Sequence, residues 1–272
     1  MEGRKVYKTE GVIIRHVSLG EADRLLTIYS RDFGKMRAVA RGARRPKSKM
    51  AGHLELLTWS KLLIAKGNTL DVVSQGETIQ SFLAIRNDLW LSACGMYIAE
   101  LVDRFTAEMV ANESIYGLLL DTLARLETER NADTVLRYFE LRLLGDLGYK
   151  PQLHQCVECN SVVAPGAHYF TPSGGGIVCP NCRGKQHVVR PLSLNALKVL
   201  RLMLASEYDT IKRLRIALEL GTELEQLMAQ YTTYLLEDEV KSSRFLGLLR
   251  RQGGLDKTRV VASEEAKSAT KG

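Results

Sequence analysis

The chain has no long apolar run. Nowhere in its 272 residues does it approach the roughly 20 consecutive apolar residues that a membrane helix needs. Its first thirty residues hold only the short cluster Val12-Ile13-Ile14, too little for a secretory h-region. It carries no G-x-x-x-x-G-K-[ST] phosphate loop, so nothing argues for nucleotide hydrolysis. No repeat with a period of 20–50 residues is found. Aromatic residues make up only 7% of the chain, and the first 80 residues hold just Tyr7, Tyr29, Phe33 and Trp59. What is left has globular proportions, 45% hydrophobic and 25% charged, enough for one large or two modest domains with real cores. A soluble, cytoplasmic protein is the expectation.

Charge of one sign is missing from one place in particular. The net charge is +7, yet residues 81–272 carry 23 basic and 23 acidic side chains, while residues 1–80 carry 15 basic against 8 acidic. The whole excess sits in the first third, as expected of a basic module attached to a neutral body. A polyanion is the natural partner of such a module. Nucleic acid is favoured over a membrane, because no basic amphipathic helix is present.

Residues 5–80 read as strands. "GVIIRHV", "RLLTIYS", "KMRAVARG", "HLELLTWSKLLIAKG" and "TLDVVSQGETIQSF" are five strand-like runs separated by short turns. They predict a small barrel or sandwich, and five is the strand count of an oligonucleotide/oligosaccharide-binding (OB) barrel. From about residue 87 the apolar period becomes 3.6. Asn87 is expected to cap a helix with Cys94, Tyr97, Ile98, Leu101 and Phe105 on its apolar face. A second helix follows through Ile115, Leu119 and Leu126, and Asp133 is expected to cap a third carrying Leu136, Phe139, Leu143 and Leu147. Further on, Ser193 opens "LNALKVLRLML", and Thr222 with Glu225 has capping-box spacing. A short helix is expected around Phe245–Leu249. The fold class is therefore α+β and multidomain. A barrel occupies residues 1–80, a mainly helical domain residues 81–252, with a cysteine-bearing insertion at about 152–190, and residues 253–272 read as a disordered tail.

Cys156, Cys159, Cys179 and Cys182 form a C-x2-C-x19-C-x2-C pattern. Each C-x-x-C makes a tight knuckle that aims two sulfurs at one point, so the pattern predicts a tetrahedral thiolate site for Zn²⁺. Gly174-Gly175-Gly176 offers a permissive backbone for the second knuckle. Two disulfides are the alternative, and a reducing cytoplasm argues against them. Four thiolates would fill the shell and leave no place for an activated water, so the metal is expected to be structural rather than catalytic. The deaminase pattern is missing too, since Val178 stands before Cys179 where proline is required. His154, His168 and His187 are nearby alternatives to a cysteine in the shell. Cys94 reads as a core thiol.

Residues 35–49 hold Lys35, Arg37, Arg41, Arg44, Arg45, Lys47 and Lys49 and no acidic residue. On a strand, Lys35, Arg37 and Arg41 share one face, with Met36, Ala38 and Ala40 on the other. The Gly/Pro/Ser loop after it can follow a phosphate chain. The blander reading is a solvated loop that only aids solubility, but seven like charges in fifteen residues repel one another without a counter-charge. These seven are the candidate nucleic-acid-binding residues. No recognition helix follows them, so sequence readout is not expected. Phe33 at the hairpin is the better stacking candidate, while Trp59 reads as core.

The stretch "GVIIRHVSLGEADRLLTIYSRDFGKMRAVARGARRPKSKM" resembles the opening of the bacterial RecO family of recombination mediators, and the similarity continues through the cysteine pairs to about residue 250. The resemblance implies an OB barrel, a helical domain with a zinc-binding insertion, and binding of single- and double-stranded DNA. It further implies annealing of complementary strands without nucleotide hydrolysis. The partners it implies are RecR, the acidic C-terminal tail of the single-stranded-DNA-binding protein SSB, and, indirectly, RecA loaded onto gapped DNA. A zinc-dependent nucleic-acid hydrolase and a general RNA-binding zinc protein are the alternatives; the hydrolase would need an open metal position, with Glu158 as the only acidic residue inside the cysteine segment.

Overall fold

The computed structural model describes residues 6–129, 131–164, 166 and 168–251. The expected tail at 253–272 lies outside them. Five strands, β1 (Val6–Leu19), β2 (Asp23–Ser30), β3 (Gly34–Ala40), β4 (Trp59–Ala65) and β5 (Asp71–Gln80), close a barrel in the order β1-β2-β3-β5-β4. Only the β3/β5 pair is parallel. Alternation along the strands fills the interior: Ile13, Leu26, Ile28, Met36, Leu62 and Ile64 meet in one cluster. This is the OB-type barrel expected from the strand count.

β1 departs from simple alternation for a physical reason. Ile13 points into the barrel, whereas Val12 and Ile14 belong to the core of the helical region. The strand is therefore buried on both faces, which is why "GVII" reads as a continuous apolar run. Tyr29 on β2 leaves the barrel on the same side and joins the same helical core.

The helices are α1 (Leu83–Asn87), α2 (Leu89–Phe105), α3 (Glu113–Thr128), α4 (Ala132–Asp146), α5 (Leu194–Ala205), α6 (Tyr208–Ile211) and α7 (Leu218–Leu236); residues 241–251 are also helical, α8. Between α4 and α5 lies a small sheet of β6 (His168–Thr171), β7 (Gly176–Val178) and β8 (Arg190–Leu192), ordered β7-β6-β8. Three caps differ from expectation. Asp88, not Asn87, caps α2, its carboxylate accepting from the Leu91 N–H at 2.8 Å; Asn87 ends α1. Asn131, not Asp133, caps α4 through the Thr134 N–H at 3.1 Å, and Asp133 in the first turn pairs with Arg250. In each case two polar residues compete, and the cap is the one whose backbone lies outside the helical region. α7 begins a turn earlier than the Thr222 signal, so Thr222 is interior and its hydroxyl donates back to the Leu218 carbonyl at 2.9 Å. Ser193 caps α5 as expected, at 3.1 Å.

α4 is the centre of the helical domain. Beyond the expected Leu136, Phe139 and Leu143, it also buries Val135, Tyr138 and Leu144, because α2, α3, α5 and α7 all pack against it. Arg137 and Glu140 are buried with it, 2.7 Å apart, and the Tyr97 hydroxyl donates to Glu140 at 2.6 Å.

The joint between barrel and helices is polar as well as apolar. After α2 the chain runs along β3, where the Met109 N–H donates to the Lys35 carbonyl at 2.8 Å. Gly34 makes this approach possible: its φ is +64°, and a Cβ there would lie 1.9 Å from the Val110 carbonyl oxygen. The Gly34→Ala variant therefore combines a left-handed backbone with a collision against main chain. It is expected to lose at least ~1–3 kcal/mol of stability, seen as a lowered thermal midpoint and earlier proteolysis between residues 106 and 112. A wild-type melting profile would show that the loop yields freely.

Candidate nucleic-acid interface and metal centre

The structure divides the seven candidate cations into two groups. Lys35 projects from β3 toward the end of α2, where its ammonium lies 3.4 Å from the Asp103 carboxylate and is only 11% exposed. Arg37, one pleat further, pairs with Glu108 at 2.6 Å. Arg15 reaches the same Asp103 at 3.6 Å, and Arg31 meets Glu113 at 3.3 Å. Part of the barrel's basic excess is thus spent on acids of the helical domain. Lys35 and Arg37 belong to the joint, because acids about 70 residues away in sequence (Asp103 and Glu108) fold onto their face.

Arg41, Arg44, Arg45, Lys47 and Lys49 are all exposed, and among the described residues none of them forms an ion pair. Their loop is nonetheless tied down. The Gly42 N–H donates to the Asp23 carboxylate at 2.8 Å, and the Arg44 N–H donates to the Ala22 carbonyl at 2.9 Å. The Arg44 guanidinium reaches the Gly20 carbonyl at 3.1 Å. Ala43 is buried as part of the barrel core. The five cations therefore stand on a fixed turn beside the β1–β2 hairpin, where the nearby Asp23 carboxylate is taken up by the Gly42 N–H and pairs with none of them.

Phe33 is not the open stacking ring expected from the sequence. It is half-buried against the barrel and packs edge-on against Tyr7, ring centroids 5.0 Å apart. Trp59 packs against the helical core, as expected.

The four cysteines converge. All four sulfurs lie within 4.8 Å of one another, with Cys159 and Cys179 at 3.8 Å. A tetrahedral ion with bonds of about 2.3 Å to sulfur has edges of about 3.8 Å, so the cluster has the dimensions of a thiolate metal site. The first knuckle turns through Asn160, φ 57°, with the Asn160 N–H donating to the Cys156 carbonyl at 2.9 Å. The second is a 3-10 turn, Pro180–Lys185, closed by the Cys182 N–H on the Cys179 carbonyl at 3.0 Å. The Cys179 N–H also points at the Cys156 sulfur, 3.4 Å away. The hydroxyl of Ser161, 3.0 Å from the Cys159 sulfur, together with its backbone N–H, pulls the Cys159 thiol down to about 6. Burial pushes Cys182 up to about 12, which makes a metal ion the natural compensation for ionising it.

Gly174–Gly176 serve a different purpose from the one expected. They form the β6–β7 turn and admit the first knuckle: a Cβ on Gly176 would lie 2.6 Å from the Gln152 carbonyl oxygen and 2.7 Å from Val157. The histidines stand aside. The metal-ligating group found among the described residues is the four cysteines alone, and His168 is buried with Nε2 at 2.5 Å from the Ala164 carbonyl. Glu158 is engaged with the Gln186 amide. Cys94 is a core thiol, raised by burial to about 12.

A five-stranded OB-type barrel, carrying a fixed cationic loop and fused to a helical domain with a four-cysteine cluster, defines the class of protein. Residues 1–82 match the family described as Recombination protein O N terminal, and residues 86–244 match Recombination protein O C terminal. The DNA repair protein RecO of Dehalococcoides mccartyi strain CBDB1 is 40% identical over 244 residues, covering 90% of this chain and 96% of that protein. RecO of Roseiflexus sp. strain RS-1 is 40% identical over 247 residues, 91% and 87% of the two chains. RecO of Symbiobacterium thermophilum is 36% identical over 248 residues, 90% and 98%. The chain belongs to the RecO family, a family of DNA repair and recombination proteins. No helix among the described residues is long and apolar enough to cross a membrane.

Elemental analysis of the purified protein is expected to find a single thiophilic ion per chain, lost on Cys156→Ser substitution. Chelation should expose Cys159 to alkylation at neutral pH well before Cys94. Equal labelling of Cys159 with and without chelator would refute a metal-bound thiolate.

Proposed function

We propose that this chain is a non-enzymatic recombination mediator that binds single- and double-stranded DNA, anneals complementary strands, and helps load RecA onto SSB-coated DNA in the cytoplasm. The observation that carries this reading is the set of five exposed cations, without an ion pair among the described residues, held beside the β1–β2 hairpin. Such a surface neutralises phosphates on two strands at once, lowering their mutual repulsion so that base pairing proceeds. Lys35 acts indirectly in this proposal, by fixing β3 against the helical domain, and DNA is gripped chiefly by Arg41, Arg44, Arg45, Lys47 and Lys49. Strand-borne and loop-borne cations of this kind contact backbones, so affinity without base identity is expected. RecR and the acidic C-terminal tail of SSB are the proposed protein partners, on the strength of the family.

The proposed ion is Zn²⁺, held by Cys156, Cys159, Cys179 and Cys182 and acting as a structural brace. A hydrolase would need a vacant coordination position and a base beside it. Four sulfurs fill a tetrahedral shell, and the carboxylate of Glu158 is occupied by Gln186. A preference for RNA is tested by direct competition between RNA and DNA strands of one sequence.

If each of the five cations meets a phosphate of a single strand, the logarithm of the binding constant falls with the logarithm of salt concentration with a slope of about −3.5. A slope near zero would remove the reading. Replacing Arg44, Arg45, Lys47 and Lys49 together by alanine is expected to flatten that slope to about −0.7 and to weaken binding for all sequences alike. The same variant should lose ATP-independent annealing of SSB-coated complementary oligonucleotides. Unchanged annealing would place the site elsewhere.

A further inference from the structure

The outer face of the barrel carries an apolar row that the electrostatic reading does not use. Leu26, Ala38 and Val73 point into the barrel, so their chain neighbours Leu25, Val39 and Val72 point out. Strand register aligns them: Val17 lies opposite Leu25, Leu25 opposite Val39, and Val39 opposite Val72. One aliphatic row therefore crosses β1, β2, β3 and β5. Val17 and, one pleat nearer the hairpin tip, Leu19 are open to solvent, 46% and 43% exposed. Leu25 and Val72 are partly exposed, and Val39 between them is buried.

Cations bound this row on both sides. The adjacent row toward the helical domain is Arg15, Thr27 and Arg37, whose two arginines are 64% and 54% exposed. Their ion pairs to Asp103 and Glu108 are solvated, so they exchange readily with another anion. On the other side stand Arg41, at the end of β3, and Arg44, whose guanidinium is fixed on the Gly20 carbonyl at the hairpin tip; Asp23, opposite Leu19, shares this row, its carboxylate accepting from the Gly42 N–H. An apolar strip with arginines on both sides matches a single strand of nucleic acid, which offers base faces between phosphates. A duplex presents phosphates but hides its base faces in the stack.

We propose that Val17, Leu25 and Val72 of this row, with Leu19 at its edge, form a platform for unpaired bases, and that Arg37, Arg41 and Arg44 hold the flanking phosphates. The inference rests on the nucleic-acid reading and deepens it. An aliphatic platform grips a base less firmly than an aromatic ring would, so a strand is held open yet released when its complement arrives. The scarcity of aromatics in the barrel and the half-burial of Phe33 then become part of the function.

The test uses the full chain and a Val17→Ser/Leu19→Ser variant; both side chains are exposed, and a thermal melt checks that the variant is folded. Binding is measured by fluorescence anisotropy against a short oligothymidylate, an abasic phosphodiester strand of the same length, and a duplex. The wild type should prefer the oligothymidylate over the abasic strand by about tenfold. The variant should lose that preference while keeping its salt slope and its duplex affinity. Equal wild-type affinity for base-bearing and abasic strands overturns the platform and leaves the cationic grip intact. A variant that keeps the preference, or that loses duplex and strand affinity alike, overturns it too. Failure of the wild type to bind any of the three in dilute salt sinks the nucleic-acid reading itself.

Discussion

The double burial of β1 is the constraint on which the rest depends. With Ile13 inside the barrel and Val12 and Ile14 inside the helical core, one strand is shared by both parts, and each fully buried side chain contributes about 1.5–3 kcal/mol. Tyr29 and the passage of residues 108–110 along β3 extend the same seam. The barrel is thereby held with one side closed against helices and the other left open. Lys35 lies on the closed side and Arg37 at its edge, both matched by acids, while the loop carrying Arg41 to Lys49 emerges on the open side.

That placement sorts the charge. Fifteen basic residues in the first 80 would repel one another if all faced solvent, but Asp103, Glu108 and Glu113 take up four of them at the seam. Five of the cations without an ion pair among the described residues are gathered on one turn whose backbone is hydrogen-bonded to the hairpin. A site with fixed cations loses less side-chain freedom on meeting a phosphate chain than a mobile tail would.

The cysteine segment is less separate than a stapled insertion. Phe170, Ile177, Leu192 and Leu153 belong to the main helical core, and only Val178, Cys156 and Cys182 form a small cluster of their own around Tyr169. Phe170 meets Tyr231 of α7 with ring centroids 5.3 Å apart, and the Tyr231 hydroxyl donates to the Tyr149 carbonyl at 2.9 Å. The small sheet is thus a two-faced element: one face completes the helical core, and the other brings the sulfurs together.

Local chemistry was legible in the chain alone. The strand count, the helical faces through Cys94 to Leu101 and Ile115 to Leu126, the paired knuckles and the acid-free run of residues 35–49 all follow from period, spacing and composition, because each depends on residues close together in sequence. Caps were legible only to within a residue or two, since Asp88 competes with Asn87, and Asn131 with Asp133, for the same orphan N–H groups. Long-range pairing was not legible. That Asp103 and Glu108 pair with Lys35 and Arg37, that Phe33 is covered by Tyr7, and that Val17, Leu25, Val39 and Val72 form one row are facts of register and docking. They are decided when distant strands and helices bury their shared apolar faces, and no window of neighbouring residues contains the partner that decides them.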